Sequence, residues 1–189
     1  MCGQFYISKD VLRILQNYAS IPDIDEETFR FGTIYPSSKA FCLIRKEGTY
    51  EIMIKQFGIE FKGFKRPMIN ARCETVLDKP MFRFDFLNHR ALMPATAFYE
   101  WTPAKEKVTF FEKDHTTMFL AGFYHHDQFI ILTRDANASM RAFHHRMPLI
   151  LQEDQVHDWL FDTDQAIELL DYLPLALEHK MDHEQGKLF

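Results

Sequence analysis

The segment FCLIRKEGTYEIMIKQF, residues 41–57, contains two strand-like runs separated by a turn. Residues 41–45 are mostly apolar, and residues 50–57 alternate between apolar and polar side chains. Glu47 and Gly48 stand between the two runs, and glycine is a common turn residue because it adopts conformations that other residues avoid. The segment therefore predicts an antiparallel hairpin around which the rest of the chain can pack.

Further strand-like runs, short and rich in aromatic or branched residues, follow the hairpin. They cover residues 90–94, 108–112, 118–123 and 129–133. Helices are predicted over residues 8–18, with Ser8 as the N-cap, and after the capping residues Asp135, Asp154 and Asp162. We expect one α+β domain over residues 1–189, mainly antiparallel β as a barrel or as sandwiched sheets, with peripheral helices and an acidic C-terminal extension at about residues 174–189.

Composition restricts the environment and the partners of the protein. A chain of 189 residues, of which 47% are hydrophobic, can enclose one core. Cys2, Cys42 and Cys73 are odd in number and widely spaced, which favours a reducing compartment and offers no CxxC pair for zinc. The sequence has no apolar run of about 18 residues that could span a membrane. We therefore expect a cytoplasmic protein with no membrane partner. A monomer that uses no cofactor or metal is a further expectation.

Charge is distributed unevenly along the chain. The net charge is −5, but residues 55–90 hold eight basic and four acidic residues, whereas residues 150–189 hold ten acidic and two basic ones. Six phenylalanines, at positions 57, 61, 64, 82, 84 and 86, alternate with the basic residues. Cations beside aromatic rings are typical of a groove for single-stranded nucleic acid. Two solvated faces of opposite charge, with the rings in the core, would explain the same pattern.

Two apolar stretches carry polar residues that strand propensity does not explain. Asn70, Arg72 and Glu74 recur at every second position, so a strand there would place them on one face, either in solvent or on the wall of a site. Glu100 lies between Tyr99 and Trp101. A carboxyl group held among aromatic rings could stay protonated and act as a general acid, or it could simply bond to backbone at a strand end.

Two histidine pairs occur in the chain. His144 and His145 precede Arg146, and consecutive residues of a strand point to opposite sides, so one of the two histidines at most would face a given site. HExxH and HxH spacings are absent from the sequence, which argues against zinc. His125 and His126 are predicted to lie in an exposed loop.

The amino terminus places Cys2 directly after Met1. If Met1 is removed, which the small side chain of Cys2 should permit, a free amine and a thiol stand on neighbouring carbons of one residue. The α-amine is a nucleophile only in its neutral form. Burial beside basic residues would lower the pKa of the amine and so increase its neutral fraction.

Four ordered motifs together resemble the SOS response-associated peptidase family, the abasic-site processing proteins. They are Met1-Cys2-Gly3, MINARCET at residues 68–75, Phe98-Tyr99-Glu100-Trp101, and His144-His145-Arg146-Met147-Pro148, with Ala121-Gly122 as a further match. The resemblance covers residues 1 to about 160. One motif is tied to the terminus and all run in the family's order, which makes the combination specific.

The resemblance implies a role for each matching position. The catalytic residues would be Cys2, Asn70, Glu100 and His144, and the DNA-binding residues would be Arg72, Pro36, Phe57 and Lys79. The chain departs from the family where Gln4 replaces an arginine, Thr33 an asparagine, and Phe57-Gly58 a Trp-Gly pair that shapes the DNA face. Trp101 is expected to be structural.

The resemblance also implies a function. The protein would sense abasic sites in single-stranded DNA and, after loss of Met1, form a covalent thiazolidine crosslink through Cys2 that shields the lesion, associating with the nucleoid when bound. Strand cleavage at the lesion and removal of its own Met1 are implied as accompanying activities. A noncatalytic single-strand binding module, an N-terminal nucleophile hydrolase, and a core in which Cys2, Glu100 and His144 are unrelated remain alternatives.

Overall fold

Two β-sheets form the framework of the computed structural model, which describes residues 2–24 and 29–181. The strands are β1 (Gln4–Ile7), β2 (Gly32–Ile34), β3 (Lys39–Lys46), β4 (Thr49–Phe57), β5 (Asn70–Arg72), β6 (Arg90–Ala95), β7 (Ala97–Trp101), β8 (Lys107–Phe111), β9 (Met118–His125), β10 (Gln128–Asp135), β11 (Arg146–Pro148), β12 (Ile150–Leu151) and β13 (Glu178–Met181). Within the described residues a sheet of five strands has the order β13-β8-β7-β1-β2, and a larger sheet follows β11-β10-β4-β3-β6-β9-β12, with β5 beside β10.

The hairpin predicted from residues 41–57 is the longest pairing in the larger sheet. β3 and β4 are antiparallel from Lys39 opposite Gln56 to Lys46 opposite Thr49. β3 also pairs with β6, β6 with β9, and β9 with β10. β10 returns to β4 through a short parallel contact, so the path closes into a barrel. The prediction of a mainly antiparallel α+β domain is confirmed.

Four short helices lie around the sheets in the described part of the chain. They are α1 (Val11–Leu15), α2 (Pro80–Asn88), α3 (Val156–Phe161) and α4 (Thr163–Glu168). The Asp162 side chain accepts bonds from two backbone amides at the start of α4, so its predicted cap is confirmed. α1 begins three residues after Ser8, and the predicted helix over residues 8–18 is therefore too long.

Two predicted caps are wrong because other contacts use those residues. Asp135 ends β10, where it lies opposite Arg146, and no helix follows it. Asp154 lies inside a 3-10 helix, Glu153–Gln155, that Gln152 caps. α2 was not predicted, because its alternating phenylalanines imitate a strand although a proline stands at its first turn. In the helix, Phe82 and Phe86 are buried one turn apart and Phe84 is exposed.

One buried guanidinium joins α2 and α3 to the barrel. Arg90, the first residue of β6, donates to backbone carbonyls of Phe86 and Leu87 in α2 and of Trp159 in α3. These carbonyls lie toward the C-terminal ends of the helices, where the helix dipole favours a positive charge. The helices are thereby held against the barrel wall.

The acidic C-terminal part of the chain contributes strand β13 to the five-stranded sheet. β13 pairs with β8 from Glu178 opposite Phe111 to Met181 opposite Val108. The remainder of the expected acidic extension, residues 182–189, lies outside the described residues, as does Met1.

Candidate active site

Cys2 lies in the interior, beside the strand that carries Glu100. β1 runs antiparallel to β7, with Gln4 opposite Tyr99 and Phe5 opposite Phe98. The residues before Gln4 therefore run alongside Glu100. Cys2 has no exposed surface, and its sulfur lies 3.8 Å from the Gln4 carbonyl oxygen. Pairing of β1 with β7, neither of which was predicted as a strand, brings the first and third motifs together.

Asn70 holds the backbone of Cys2. Its Nδ2 donates to the Cys2 carbonyl oxygen at 3.1 Å and to the Ile131 carbonyl oxygen at 3.3 Å. β5 places the side chain there because Asn70 lies beside Ile131 in the parallel pairing with β10. The Asn70 Oδ1 atom is buried and has no hydrogen-bond partner among the described residues. A buried amide oxygen without a partner is destabilising, and such an atom often marks a place where a ligand or a reacting group binds.

Glu100 supplies the negative charge next to Cys2. Glu100 is a buried residue with 3% of its surface exposed. Burial is the first cause that raises the pKa of the Cys2 thiol above its ordinary value, and the charge of Glu100 is the second. The expectation of basic neighbours at Cys2 is therefore wrong, because the strongest described charge beside it is acidic. The thiol is held in its protonated form at neutral pH.

His144 lies on the turn that precedes β11. His144 Nδ1 lies 3.0 Å from both the backbone nitrogen and the carbonyl oxygen of Arg146, so the backbone of that residue fixes the ring. The neighbouring Phe143 ring packs against Phe110 of β8 at 5.6 Å, so this turn covers the small sheet. The pairings of β11 with β10 and of β10 with β5 connect this turn to the strand that carries Asn70.

Arg146 fixes the turn that holds His144, a role that the sequence analysis did not assign. Its guanidinium makes two bonds to Glu74, at 2.6 and 2.8 Å, and one of 2.7 Å to Asp135. Glu74 belongs to the 3-10 helix Cys73–Thr75, so it does not continue the strand face of Asn70 and Arg72. The bonds to Arg146 lower the pKa of Glu74. The sequence held a signal for this ion pair, because Glu74 lies in the motif at residues 68–75 and Arg146 in the motif at residues 144–148.

Comparisons with known proteins show which family the chain belongs to. Residues 1–184 match the sequence pattern of one family, SOS response associated peptidase (SRAP). The chain belongs to the SOS response-associated peptidase family. The abasic site processing protein YoaM of Bacillus subtilis is 28% identical over 94% of this chain and 87% of its own length. The abasic site processing protein YedK of Escherichia coli is 27% identical over 85% of this chain and 79% of its own.

Solved structures show the same fold. A protein from Bordetella bronchiseptica has a TM-score of 0.78 at 21% identity and covers 95% of this chain and 99% of its own. A protein from Bacteroides thetaiotaomicron has a TM-score of 0.77 at 19% identity, covering 99% of this chain and 95% of its own. At these identities the likeness concerns the SRAP fold alone.

Three of the four residues expected to bind DNA in this SRAP domain are exposed. Arg72 ends β5 on the surface, Pro36 lies in the loop between β2 and β3, and Lys79 stands at the start of α2. Lys79 also places its ammonium 5.7 Å from the Phe82 ring centre. Their exposure leaves all three able to reach a ligand, and their contact with DNA stays a prediction.

Phe57 does not have a surface on which a base could stack. Its ring is fully buried and stacks on Phe129 at 5.1 Å, next to the Phe5 ring. The expected stacking role of Phe57 is therefore wrong, because an aromatic residue at the end of β4 completes the core between the two sheets. Of the six phenylalanines in the basic segment, Phe64 and Phe84 are mostly exposed, and these two rings remain available for stacking.

A groove of about 520 Å³ lies on the opposite face of the small sheet from Glu100. Tyr99 lines it, and consecutive strand residues point to opposite faces. The SRAP site described above therefore does not open into this groove.

Neither histidine pair forms part of a metal centre in residues 2–24 and 29–181, where no three His, Cys, Asp or Glu side chains are placed to hold an ion. His125 belongs to β9 and bonds Asp85 at 2.9 Å, so the predicted exposed loop is limited to His126 and its neighbour.

Over the same described residues, every helix is too short or too polar to cross a membrane.

Proposed function

We propose that this protein forms a covalent crosslink with abasic sites in single-stranded DNA through Cys2, after Met1 has been removed. Support comes from the SRAP family and from relatives named abasic site processing proteins. The observation that carries the proposal is the position of Cys2. Asn70 donates a hydrogen bond to its carbonyl oxygen, and the charge of buried Glu100 raises the pKa of its thiol.

The chemistry requires both nucleophiles of one residue. A ring-opened abasic site presents an aldehyde, and the α-amine of Cys2 attacks its carbon to give an imine and one molecule of water. The Cys2 thiol then adds across the C=N bond, with sulfur joining carbon and the proton passing to nitrogen. The product is a five-membered thiazolidine. If ring closure is slow, the imine acidifies the neighbouring sugar carbon. Loss of that proton to solvent then breaks the C–O bond to the 3′-phosphate, which leaves by β-elimination and cuts the strand.

Glu100 and Asn70 have complementary roles in this proposal. Glu100 accepts a proton from the ammonium group, so that the amine can attack, and returns it to the departing hydroxyl. Asn70 fixes the Cys2 carbonyl, and its unpartnered Oδ1 can accept a hydrogen bond from the α-amine. His144, whose Nδ1 is held by the backbone of Arg146, assists proton transfer on the opened sugar.

The raised pKa of the Cys2 thiol sets the order of the two attacks. A protonated thiol is a poor nucleophile toward the aldehyde. The amine therefore attacks first, and the thiol closes the ring afterwards. Single-stranded DNA is the expected substrate, because a stacked complementary strand would restrict access to the sugar.

Intact mass spectrometry tests the proposal. The purified protein should have the mass of residues 2–189, and incubation with an abasic oligonucleotide should add the oligonucleotide less one water. Borohydride should leave that mass unchanged, because it reduces an imine but not a closed thiazolidine. Retention of Met1, or an adduct mapped to a lysine, would contradict the proposal.

Glu100→Gln should slow crosslinking at neutral pH by roughly 100-fold, since a proton donor and acceptor is lost. The same change should lower the pKa of the Cys2 thiol, because a charge that raises it is removed. Crosslinking rate and the pH profile of Cys2 alkylation measure the two effects. Glu112→Gln, at a second buried glutamate, is the matched control. Equal crosslinking rates in Glu100→Gln and wild type would exclude the proton-transfer role.

Arg72→Ala should weaken binding to a lesion-free single strand and reduce the slope of log K against log salt by about 0.7, the value for one lost phosphate contact. Arg13→Ala, at an exposed arginine within α1, is the matched control. Fluorescence anisotropy over a salt series gives both slopes. A slope identical to wild type would show that Arg72 does not contact phosphate.

A further inference from the structure

A polar cavity of about 340 Å³ lies at the β2 edge of the small sheet. Six residues from three consecutive strands and their connections provide its polar lining: Arg30, Thr33, Ser37, Ser38, Lys39 and Gln56. They come together because β2 leads through a tight turn into β3, and Lys39 pairs directly with Gln56 of β4. Apart from Thr33, none of these residues received a role from the sequence.

The charge of the cavity is positive. Arg30 and Lys39 supply two cations, and the other four polar residues supply three hydroxyl groups and an amide. The described lining includes no carboxylate. Asp127 lines a neighbouring cavity that shares Lys39 and Gln56. Guanidinium, ammonium and hydroxyl groups around one space form a donor set suited to the oxygen atoms of a phosphate group.

The cavity wall is already formed in this structure. Ser37 N donates to the Phe57 carbonyl oxygen at 2.7 Å, and Phe57 N donates to the Ser38 carbonyl oxygen at 2.8 Å. Ser38 N also bonds the Tyr35 carbonyl oxygen at 2.9 Å. Ser37 adopts a φ of 71°, an uncommon backbone conformation for serine, and it keeps its hydroxyl at the cavity. A ligand therefore meets a turn whose backbone is fixed before binding.

The turn at the cavity and Asn70 are connected through the backbone of β10. Phe57, which holds the turn, pairs with Phe129 of β10, and Asn70 pairs with Ile131 of the same strand. These two positions on β10 are two residues apart, or about 7 Å along the strand. The backbones that carry the cavity and Asn70 are thus neighbours.

We propose that this cavity binds a phosphate group, and that the group belongs to the backbone of the DNA strand that carries the lesion. The identity of the strand rests on the proposed function, whereas phosphate binding itself follows from the lining. One phosphate held here would restrain a flexible strand while the sugar reacts at Cys2.

The test variant is Arg30→Gln combined with Lys39→Gln, which removes both cations and retains polar side chains. The control, Arg45→Gln combined with Lys46→Gln, removes the same charge at the far end of β3, about 20 Å away. Binding of a lesion-free oligothymidylate should weaken five- to tenfold in the test variant at 0.1 M salt, with the salt slope reduced by about 0.7. The control variant should keep the wild-type slope.

A neutral methylphosphonate placed at each position of the oligonucleotide in turn identifies the phosphate. One position should weaken binding to wild type and have no further effect on the test variant. If every position weakens both proteins equally, the proposal is overturned. NMR of labelled protein titrated with inorganic phosphate distinguishes the two sources of the ligand, free phosphate and a phosphate of the DNA strand. Shifts of Ser37 and Lys39 resonances with free phosphate, but no position-specific effect in DNA, would overturn the assignment to the DNA strand.

Separate measurements distinguish failure of crosslinking at Cys2 from failure of phosphate binding at the cavity. The lesion-free oligonucleotide tests the cavity without any covalent step, and crosslinking at saturating abasic DNA tests Cys2 without regard to affinity. The control variant should reach the wild-type crosslinking yield, and the cavity variant should need a higher concentration of abasic DNA to approach that yield. Loss of that yield at saturation would assign Arg30 and Lys39 to the chemistry and overturn a pure phosphate-binding role.

Discussion

Cys2→Ala is expected to abolish the covalent adduct with abasic DNA that resists borohydride and denaturant. The alanine variant keeps an α-amine after loss of Met1, so it can still form an imine, but no thiol is present to close the ring. The adduct should therefore become reversible, and borohydride should trap it as a reduced amine. Denaturing electrophoresis and intact mass with and without borohydride measure the change.

Two matched controls accompany this variant. Cys42 and Cys73 are buried thiols whose pKa values are also raised by burial, so Cys42→Ala and Cys73→Ala test whether any enclosed cysteine is sufficient. Both should form the borohydride-resistant adduct as wild type does, since an internal cysteine has no free amine. Persistence of that adduct in Cys2→Ala would remove Cys2 from the chemistry. Binding of lesion-free DNA should be unchanged in Cys2→Ala.

Gly122→Ala is expected to destabilise the fold by about 3 kcal/mol or more, at the upper end for overpacking a core. A Cβ atom at Gly122 would stand 2.0 Å from the Ile130 carbonyl oxygen and 2.7 Å from Met93 Cε. Met93 could rotate away, but the carbonyl belongs to β10 and is fixed by its pairing with β9. The added methyl group would separate the two strands that close the barrel. Chemical denaturation measures the loss.

Gly48→Ala is the control for this effect. Gly48 lies in the hairpin turn with a φ of 80°, and a Cβ atom there would meet no heavy atom within 4 Å. Its replacement should destabilise by only about 1 kcal/mol through backbone strain. Equal losses for the two variants would contradict a steric cause at Gly122. A folded Gly122→Ala protein with wild-type stability would show that β9 and β10 can move apart freely.

Periodicity determined much of the framework. The hairpin over residues 41–57 was predictable because each run is long enough to alternate and a glycine marks the turn between them. β6, β8, β9 and β10 were predictable because their runs are rich in aromatic or branched residues. α2 was not, because the order Phe82, Arg83, Phe84, Asp85, Phe86 fits a strand, and only packing of Phe82 and Phe86 on the barrel selects the helix.

The motifs gave the residue types of the candidate site, and their order along the chain identified the family. They did not give the distances between those residues, because Cys2, Asn70, Glu100 and His144 come from four separate segments. Pairing of β1 with β7 brings Cys2 alongside Glu100, and pairing of β5 with β10 brings Asn70 to the Cys2 carbonyl. These are long-range hydrogen bonds that no local pattern encodes.

The sequence by itself determined which side chains could react and that strands would dominate the fold, since both follow from residue identity and local periodicity. The tertiary structure alone decided which aromatic rings are accessible. Phe57 and Phe64 both stand among basic residues in the sequence, but Phe57 closes the core and Phe64 is exposed. Burial depends on what the rest of the chain places against a ring, and that is settled only when the two sheets pack together.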